Sequence, residues 1–457
     1  MIVVGAGPAG CAATARLLDE GASVVLVDAG PGPPYPPAVS SLDALAAVAA
    51  PGRIRGDVLL RRSDPVSAGA PVPYEVGRGI GGGAAVNAMV LTTGDTTDYD
   101  RWATATGDRR WAWSSLAPGH DELVRRLRPT VMTPGPLGAA VATAAGLGSI
   151  GRSSAEPGAR GVLLAATSSD AAGRRPLLPT LLGVEPGGPL HPRLRVVADR
   201  RVRAISLDGA RRGVETDGGR IDADRVVVAA GTLASPRLLA GAGLAQPVAS
   251  VDHGEVRDHP SFSFTVALRS ASRRPERPVP PVSVVVMDDL GDSSTPVEVI
   301  VHVLDHVGAG DGRRFGAVIV ALAAPTSLGR FTARPDGGVS VDPGWLRSDD
   351  DAARMATAVR VVGRWLAEPA VEAVAEAVHI DDRGTPLATL DAWSDDELVA
   401  WLRANPGPVR HAVSSLGGMT PTVTDGIVVV DGSVLPGLPP VNPQLPIMTA
   451  AWRFGGG

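Results

Sequence analysis

The chain has 457 residues, of which 44% are hydrophobic and 20% charged, an ordinary globular composition that excludes wholesale disorder and predicts two or three domains. Its net charge of -5 and pI near 5.9 argue against a nucleic-acid partner, which would need a dense basic surface. The single cysteine, Cys11, allows no intrachain disulfide and no thiolate metal cluster, and all 43 basic residues are arginine, so no lysine takes part in any chemistry.

The chain opens on a short apolar run, residues 1–4, with no positively charged region of the kind a signal peptide carries. Gly5-Ala6-Gly7-Pro8-Ala9-Gly10 follows at once, then a helical pattern through Leu18, a closing Gly21, a second apolar strand over 23–27, and Asp28. Each part of this strand, turn, helix, strand and acid has a physical task. Gly5 makes the tight turn, Gly7 lets the backbone approach a pyrophosphate, and Gly10 lets the helix pack on the sheet. The helix N-terminus presents free N–H groups to phosphate oxygens. Asp28, 18 residues after Gly10, stands where a carboxylate accepts from a ribose hydroxyl, which excludes a 2′-phosphate and leaves NAD and FAD both open.

Gly77-Arg78-Gly79-Ile80-Gly81-Gly82-Gly83-Ala84-Ala85-Val86-Asn87-Ala88-Met89 is a glycine-dense loop that allows backbone to lie against a flat ligand. Residues 297–304 and 317–323 read as strands. Ser348 and the three aspartates after it begin a helix with Met355, Val359, Val362 and Leu366 on one face, and Ser394 with Glu397 forms a capping box before Leu398 and Leu402. No run of about 18 apolar residues occurs. The expectation is a soluble cytoplasmic protein, and a mean hydropathy of +0.12 leaves peripheral membrane contact open.

Histidines are the first candidates for acid–base work. His302 and His306 have metal-ligand spacing for a helix, but the strand pattern at His302 puts them far apart and argues against a metal. His259 reads as structural, His302 is also a candidate for a substrate-pocket wall, and His120, His191, His253 and His379 read as surface or loop residues. Cys11 reads as packing beneath the glycine turn, and Trp111 and Trp113 as packing residues. Arg174-Arg175, Arg211-Arg212 and Arg273-Arg274 read as solvated loop charges.

The order of these motifs resembles the glucose–methanol–choline (GMC) oxidoreductases, FAD enzymes that act mostly on alcohols. The glycine turn, the loop ending in Asn87 and Asp98-Tyr99-Asp100-Arg101-Trp102-Ala103 carry the resemblance first. Residues 193–197 leading to Val202, Val228-Ala229-Ala230-Gly231 with Ser235-Pro236, Asp258-His259-Pro260, Pro325 to Arg330, and Val430-Asp431-Gly432-Ser433 with Asn442-Pro443 follow in the family's order. The resemblance implies an α/β fold, a Rossmann-like FAD-binding domain with a discontinuous α+β substrate-binding domain built on an antiparallel sheet. Residues 1–120, 188–260 and 410–457 are expected in the FAD-binding domain, and 121–187 and 261–409 in the substrate-binding domain.

The same resemblance implies FAD contacts at Gly5, Gly7, Pro8, Ala9, Gly10, Asp28, Ala29, Gly81, Gly82, Asn87, Val90, Val202, Asp431, Gly432 and Pro443. Val86 stands where some members carry a flavin-linked histidine, so the FAD is expected to be non-covalent. His411 begins a segment similar to the family's HPxGTxxMG, with Pro and Gly-Thr replaced and Met419 one position late, and Asn442 follows it by 31 residues. The implied reaction is oxidation of a small-molecule alcohol: His411 takes the hydroxyl proton, Asn442 orients the oxygen, and flavin N5 receives the hydride. A dehydrogenase using an unidentified acceptor other than oxygen is expected, with an oxidase as the alternative. Trp111-Ala112-Trp113-Ser114 and Asp431 to Pro436 are similar to the branch serving the peptide-derived redox cofactor mycofactocin. A lyase, a light-driven decarboxylase and a non-catalytic flavin-binding protein are the other readings; the decarboxylase would need a cysteine and an arginine beside the flavin, and the only cysteine lies in the phosphate turn.

Overall fold

Three- and four-residue runs of valine and isoleucine bury both faces only inside a parallel sheet covered by helices, and the short apolar runs of this chain do so. The computed structural model describes residues 1–32, 52–60, 72–146, 151–170, 173–207, 212–244, 253–274, 279–290, 297–308, 313–405, 407, 409–416, 421–424 and 426–456. Its first sheet runs in the order Leu194–Val197, Val24–Val27, Ile2–Val4, Val226–Val228, Ile427–Val429, Thr422–Thr424. Every neighbouring pair is parallel except the last. The helices Pro8–Asp19 and Gln444–Gly455 bury Cys11, Ala12, Leu17, Leu445, Met448 and Trp452 in the same core as these strands. Strands more than 400 residues apart in sequence therefore share one hydrophobic layer.

The second sheet is six-stranded and antiparallel throughout: Ala375–His379, Ser261–Leu268, Phe315–Leu322, Val297–Leu304, Val282–Leu290, Gly161–Leu164. Strict alternation gives it two different faces. Phe264, Val266, Val284, Val286, Val301, Val303, Val318 and Val320 pack with the helices Pro136–Ala145 and Asp349–Leu366. The other face carries His302 toward the first sheet, as its bond to Asn442 shows. Met355, Val359, Val362 and Leu366 are buried on the long helix as their spacing predicts. Ser348 stands at its N-cap but makes no side-chain cap bond; Asp351 instead accepts the N–H groups of Thr326 and Ser327. The capping box of Ser394 and Glu397 is formed. Among the described residues no helix is long and apolar enough to cross a membrane.

The segment 121–187 departs from its expected placement. Leu116, Leu123 and Leu127 of the helix Trp113–Leu127, with Leu177, Leu178 and Leu181, join the core of the first sheet, whereas Leu137, Val141 and Val162 join that of the second. The reason is that Trp113–Leu127 turns its apolar stripe onto the C-terminal helix, where Trp452 lies. Several residues expected at the surface are buried or paired. His120 is 2% exposed, with Nε2 2.9 Å from Thr93 Oγ1 and Nδ1 3.1 Å from Asp121 Oδ1. Arg174 is 4% exposed. Arg274 pairs with buried Asp305 at 2.9 Å, while Asp305 accepts the Gly135 and Gly138 N–H groups at the start of Pro136–Ala145. His253 and His379 lie in strands, and Arg211 lies outside the described residues. Trp111 packs against Phe454 with 4.7 Å between ring centroids, and Trp113 against Tyr99.

The tightest constraint in the first unit is glycine on glycine. Gly5 has φ +95°, and a Cβ on Gly10 would lie 1.8 Å from the Gly5 carbonyl oxygen. Gly10→Ala is therefore expected to cost at least about 2 kcal/mol of stability, since backbone has to move, measured as a lower midpoint in urea unfolding. An unchanged midpoint would contradict this packing.

Candidate active site

The carboxyl ends of the parallel strands meet in a cradle. Ala6 accepts the Gly81 N–H at 2.8 Å, and a Cβ on Gly82 would lie 2.8 Å from Gly7 Cα, so the two glycine stretches touch. A Cβ on Gly7 would meet no protein atom within 4 Å: backbone faces open space at the start of the helix that begins Pro8-Ala9-Gly10. That combination fits the diphosphate of a dinucleotide, which needs close backbone approach and unsatisfied helix N–H groups. Cys11 lies just beneath, fully buried, its Sγ donating to Ala6 O at 3.2 Å. Burial pushes its thiol pKa well up, so it packs as an inert group.

Asp28 follows the second strand. Its Oδ2 accepts the Ala6 N–H and its Oδ1 the Gly30 N–H, both at 2.8 Å. One carboxylate thereby ties the glycine turn to the next loop, and its spare lone pairs are what a ribose hydroxyl would use. Burial raises its pKa, partly offset by these backbone donors. Ala29 accepts from Arg78 at 2.8 Å. Val202 begins the strand Val202–Ser206, half-buried, two residues after Arg200 donates its N–H to Asp28 O. Asn87 donates to Gln444 Oε1 at 2.6 Å, and Val90 packs in one apolar cluster with Val441. Asp431 accepts the N–H groups of Gly231 and Ser433. Gly432 leaves no space for a side chain beside Thr232 Oγ1, and Pro443 caps the C-terminal helix. Of the expected cofactor residues, Gly5 to Gly10, Asp28, Gly81 and Gly82 thus come together at one end of the parallel sheet.

A cluster of histidines lies next to this cradle. The backbone N–H of His411 donates to Asp258 Oδ1 at 2.7 Å, and that of His259 to the same oxygen at 2.9 Å. Tyr74 donates its O–H to Asp258 Oδ2 at 2.7 Å and accepts the Ala412 N–H at 3.2 Å. Arg410 stacks over Trp345 and Tyr74, at 5.0 and 5.6 Å from their ring centroids. Three segments thereby fix the backbone at His411.

The ring contacts then determine where the protons sit. His259 Nε2 is 3.1 Å from the Pro439 carbonyl, which only accepts, so Nε2 carries the proton. Burial lowers the His259 pKa to about 4, so this ring is neutral and its Nδ1 is an acceptor. His411 Nδ1, 3.0 Å away, therefore donates to it, and His411 Nε2 keeps a free lone pair. Asn442 Nδ2 lies 3.0 Å from His302 Nε2; the amide donates, and burial lowers His302 to about 4. Asn442 Oδ1 is buried with no partner. Burial first, then the neighbouring His259 and His302, hold His411 well below the usual imidazole range.

The structure thus brings His411, Asn442, His259 and His302 into one cluster. His302 and His259 carry more than the wall and packing roles read from the sequence. Tyr74 was not legible at all, because it lies in no motif and meets Asp258 across 184 residues. Met419 and Gly417-Gly418 fall outside the described residues. Among the described residues no group of three His, Cys, Asp or Glu is arranged to hold a metal ion.

A glycine cradle at the carboxyl ends of a parallel sheet, faced by an antiparallel sheet that delivers a neutral histidine, is the architecture of a dinucleotide-binding protein with a second, ligand-facing layer. Profiles of the GMC oxidoreductase family match residues 1–153 and 325–451, together more than half of the chain, and the chain belongs to that family. Pyridoxine 4-oxidase of Microbacterium luteolum is 34% identical over 119 residues, 25% of this chain and 22% of that protein. 5-(Hydroxymethyl)furfural oxidase of Methylovorus sp. (strain MP688) is 25% identical over 454 aligned positions, 84% of this chain and 82% of its own. The matched stretch spans only about a fifth of the length of the first curated relatives. The crystal structure of pyridoxine 4-oxidase from Mesorbium loti superposes with a TM-score of 0.80 at 22% identity, covering 99% of this chain and 98% of that one.

Burial raises the Asp258 pKa to about 6, against the Tyr74, His411 and His259 donors that lower it. A carboxyl whose folded value lies above its unfolded one stabilises the fold while protonated and loses that contribution as pH rises through the folded value. Relative to Asp258→Asn, the wild type is expected to lose up to about 3 kcal/mol between pH 4 and pH 7. Urea unfolding of both proteins across this range checks it; a difference that does not change with pH would contradict it.

Proposed function

We propose that this protein is an FAD-dependent oxidoreductase that oxidises an alcohol, a CH–OH donor, with His411 as the base. The observation that carries the reading is the free Nε2 lone pair of His411, left by the donation of its Nδ1 proton to neutral His259. FAD held non-covalently in the glycine cradle would supply the acceptor for the hydride that leaves the carbinol carbon. Val86, 8% exposed, offers no atom for a covalent link.

The protein's own residues do the rest. His411 Nε2 takes the hydroxyl proton as the C–H bond breaks, and His259 Nδ1 then faces the N–H of an imidazolium, whose charge it helps to carry. Asn442, tethered through Nδ2 to His302, keeps a second amide N–H with which to orient the substrate oxygen. His302 lies on a sheet face with Ile300, opposite Val285 and Ile319, which favours a substrate with an uncharged, apolar body. The decarboxylase reading has no support, because Cys11, the only thiol, is buried against Ala6 beneath the glycine turn.

Replacement of His411 by Ala is expected to leave FAD bound and to slow flavin reduction by an alcohol about 100- to 10,000-fold, measured anaerobically by stopped flow. Reduction at the wild-type rate would overturn the assignment. Because burial keeps His411 neutral well below pH 6.5, the acid limb of the wild-type reduction rate is expected below that pH. A limb centred at 6.5 or above would show that the titrating base is an ordinary exposed imidazole.

A further inference from the structure

The proton chemistry makes no use of Arg174, a cation 4% exposed to solvent. Its Nη1 donates to Ala84 O at 2.8 Å and Asn87 Oδ1 at 3.0 Å, and its Nη2 to Asn87 O at 2.6 Å. Its Nε is buried without a partner. Each of these acceptors is a neutral amide oxygen, and burial is the sole influence on its pKa, which falls to about 10. The guanidinium is therefore charged at neutral pH, and among the described residues no carboxylate pairs with it. Arg274, by contrast, meets buried Asp305 directly. An unneutralised buried cation is costly and marks a place where an anion is missing.

Its location indicates which anion. Ala84 belongs to the 3-10 turn Gly82–Ala85, two residues and roughly 4 Å of rise beyond Gly82, whose Cβ would touch Gly7. Arg174 thus stands at the far end of the turn whose near end borders the cradle. Asn87, its other partner, also holds Gln444 at the start of the C-terminal helix, two residues after Asn442. A dinucleotide would bring the negative charge of its diphosphate into this same region.

We propose that Arg174 is the buried counter-charge of the bound dinucleotide: its Nη groups hold residues 84–87 against the cradle, and its positive charge, which no carboxylate among the described residues neutralises, offsets the negative charge of the cofactor. The inference rests on the FAD reading above. It separates Arg174 from a purely structural clamp, because a clamp supports the empty and the loaded protein alike, whereas a counter-charge favours only the loaded one.

The test is the FAD dissociation constant of the wild type, Arg174→Gln and Arg174→Lys, by fluorescence titration, with the thermal midpoint of each protein with and without FAD. Arg174→Gln is expected to weaken FAD binding about tenfold, the size of one partly screened charge interaction. Its FAD-free midpoint is expected unchanged or raised, so the shift produced by FAD shrinks. Arg174→Lys keeps the charge and is expected to stay nearer the wild type. Should Arg174→Gln fail to fold, Arg174→Met, which also removes the charge, is read in its place: about tenfold weaker FAD binding supports the counter-charge, and wild-type affinity overturns it. Equal weakening in both variants, wild-type affinity in Arg174→Gln, or an FAD-free midpoint that falls as far as the loaded one would also overturn it. A wild type that binds no FAD overturns the proposed function and this inference together; an Arg174→Gln protein that binds like the wild type overturns only this inference.

Discussion

The position of the candidate base depends on one buried carboxylate. Asp258 accepts the backbone N–H of His411, the backbone N–H of His259 and the hydroxyl of Tyr74, so a single side chain holds both histidines and the segment that carries Tyr74. The two imidazoles are then set ring to ring at 3.0 Å. The Pro439 carbonyl fixes the proton on His259, and that choice propagates to His411. A base acts from a defined nitrogen in a defined tautomer, and here both are consequences of backbone carbonyl and carboxylate placement rather than of the histidine alone.

The two sheets have separate tasks. The parallel sheet gathers Gly5, Asp28, Gly231 and Asp431 at its carboxyl ends, where loops diverge and leave room for a ligand. The antiparallel sheet is packed on one face by the helices Pro136–Ala145 and Asp349–Leu366, and carries His302 on the other. The Asn442–His302 bond crosses between them. The cradle and His302 therefore belong to different sheets, joined through Asn442.

Local signals were legible in the sequence where local physics decides the outcome. The strands Ile2–Val4 and Val24–Val27, the glycine turn between them, the helix Asp349–Leu366 and the Ser394 capping box all follow from spacing and side-chain type. His411 and Asn442 were found through the resemblance of their flanking residues to a family pattern. What the sequence did not disclose is non-local. Tyr74 meets Asp258, and Arg174 meets Asn87, by contacts that no periodicity encodes. Arg174 sits in a Gly-Arg-Arg-Pro stretch whose composition reads as solvated loop, yet its side chain is buried against the distant residues Ala84 and Asn87.

The central claim is that an alcohol delivers its hydride to a cofactor in this cradle. An anaerobic titration of the FAD-loaded protein with a panel of uncharged alcohols, followed in the visible flavin band, tests it directly. Bleaching by at least one of them is expected, and admission of air then separates an oxidase, which recovers its colour, from a dehydrogenase, which does not. A protein that takes up no FAD, or an FAD band that none of the alcohols bleaches, would contradict the account.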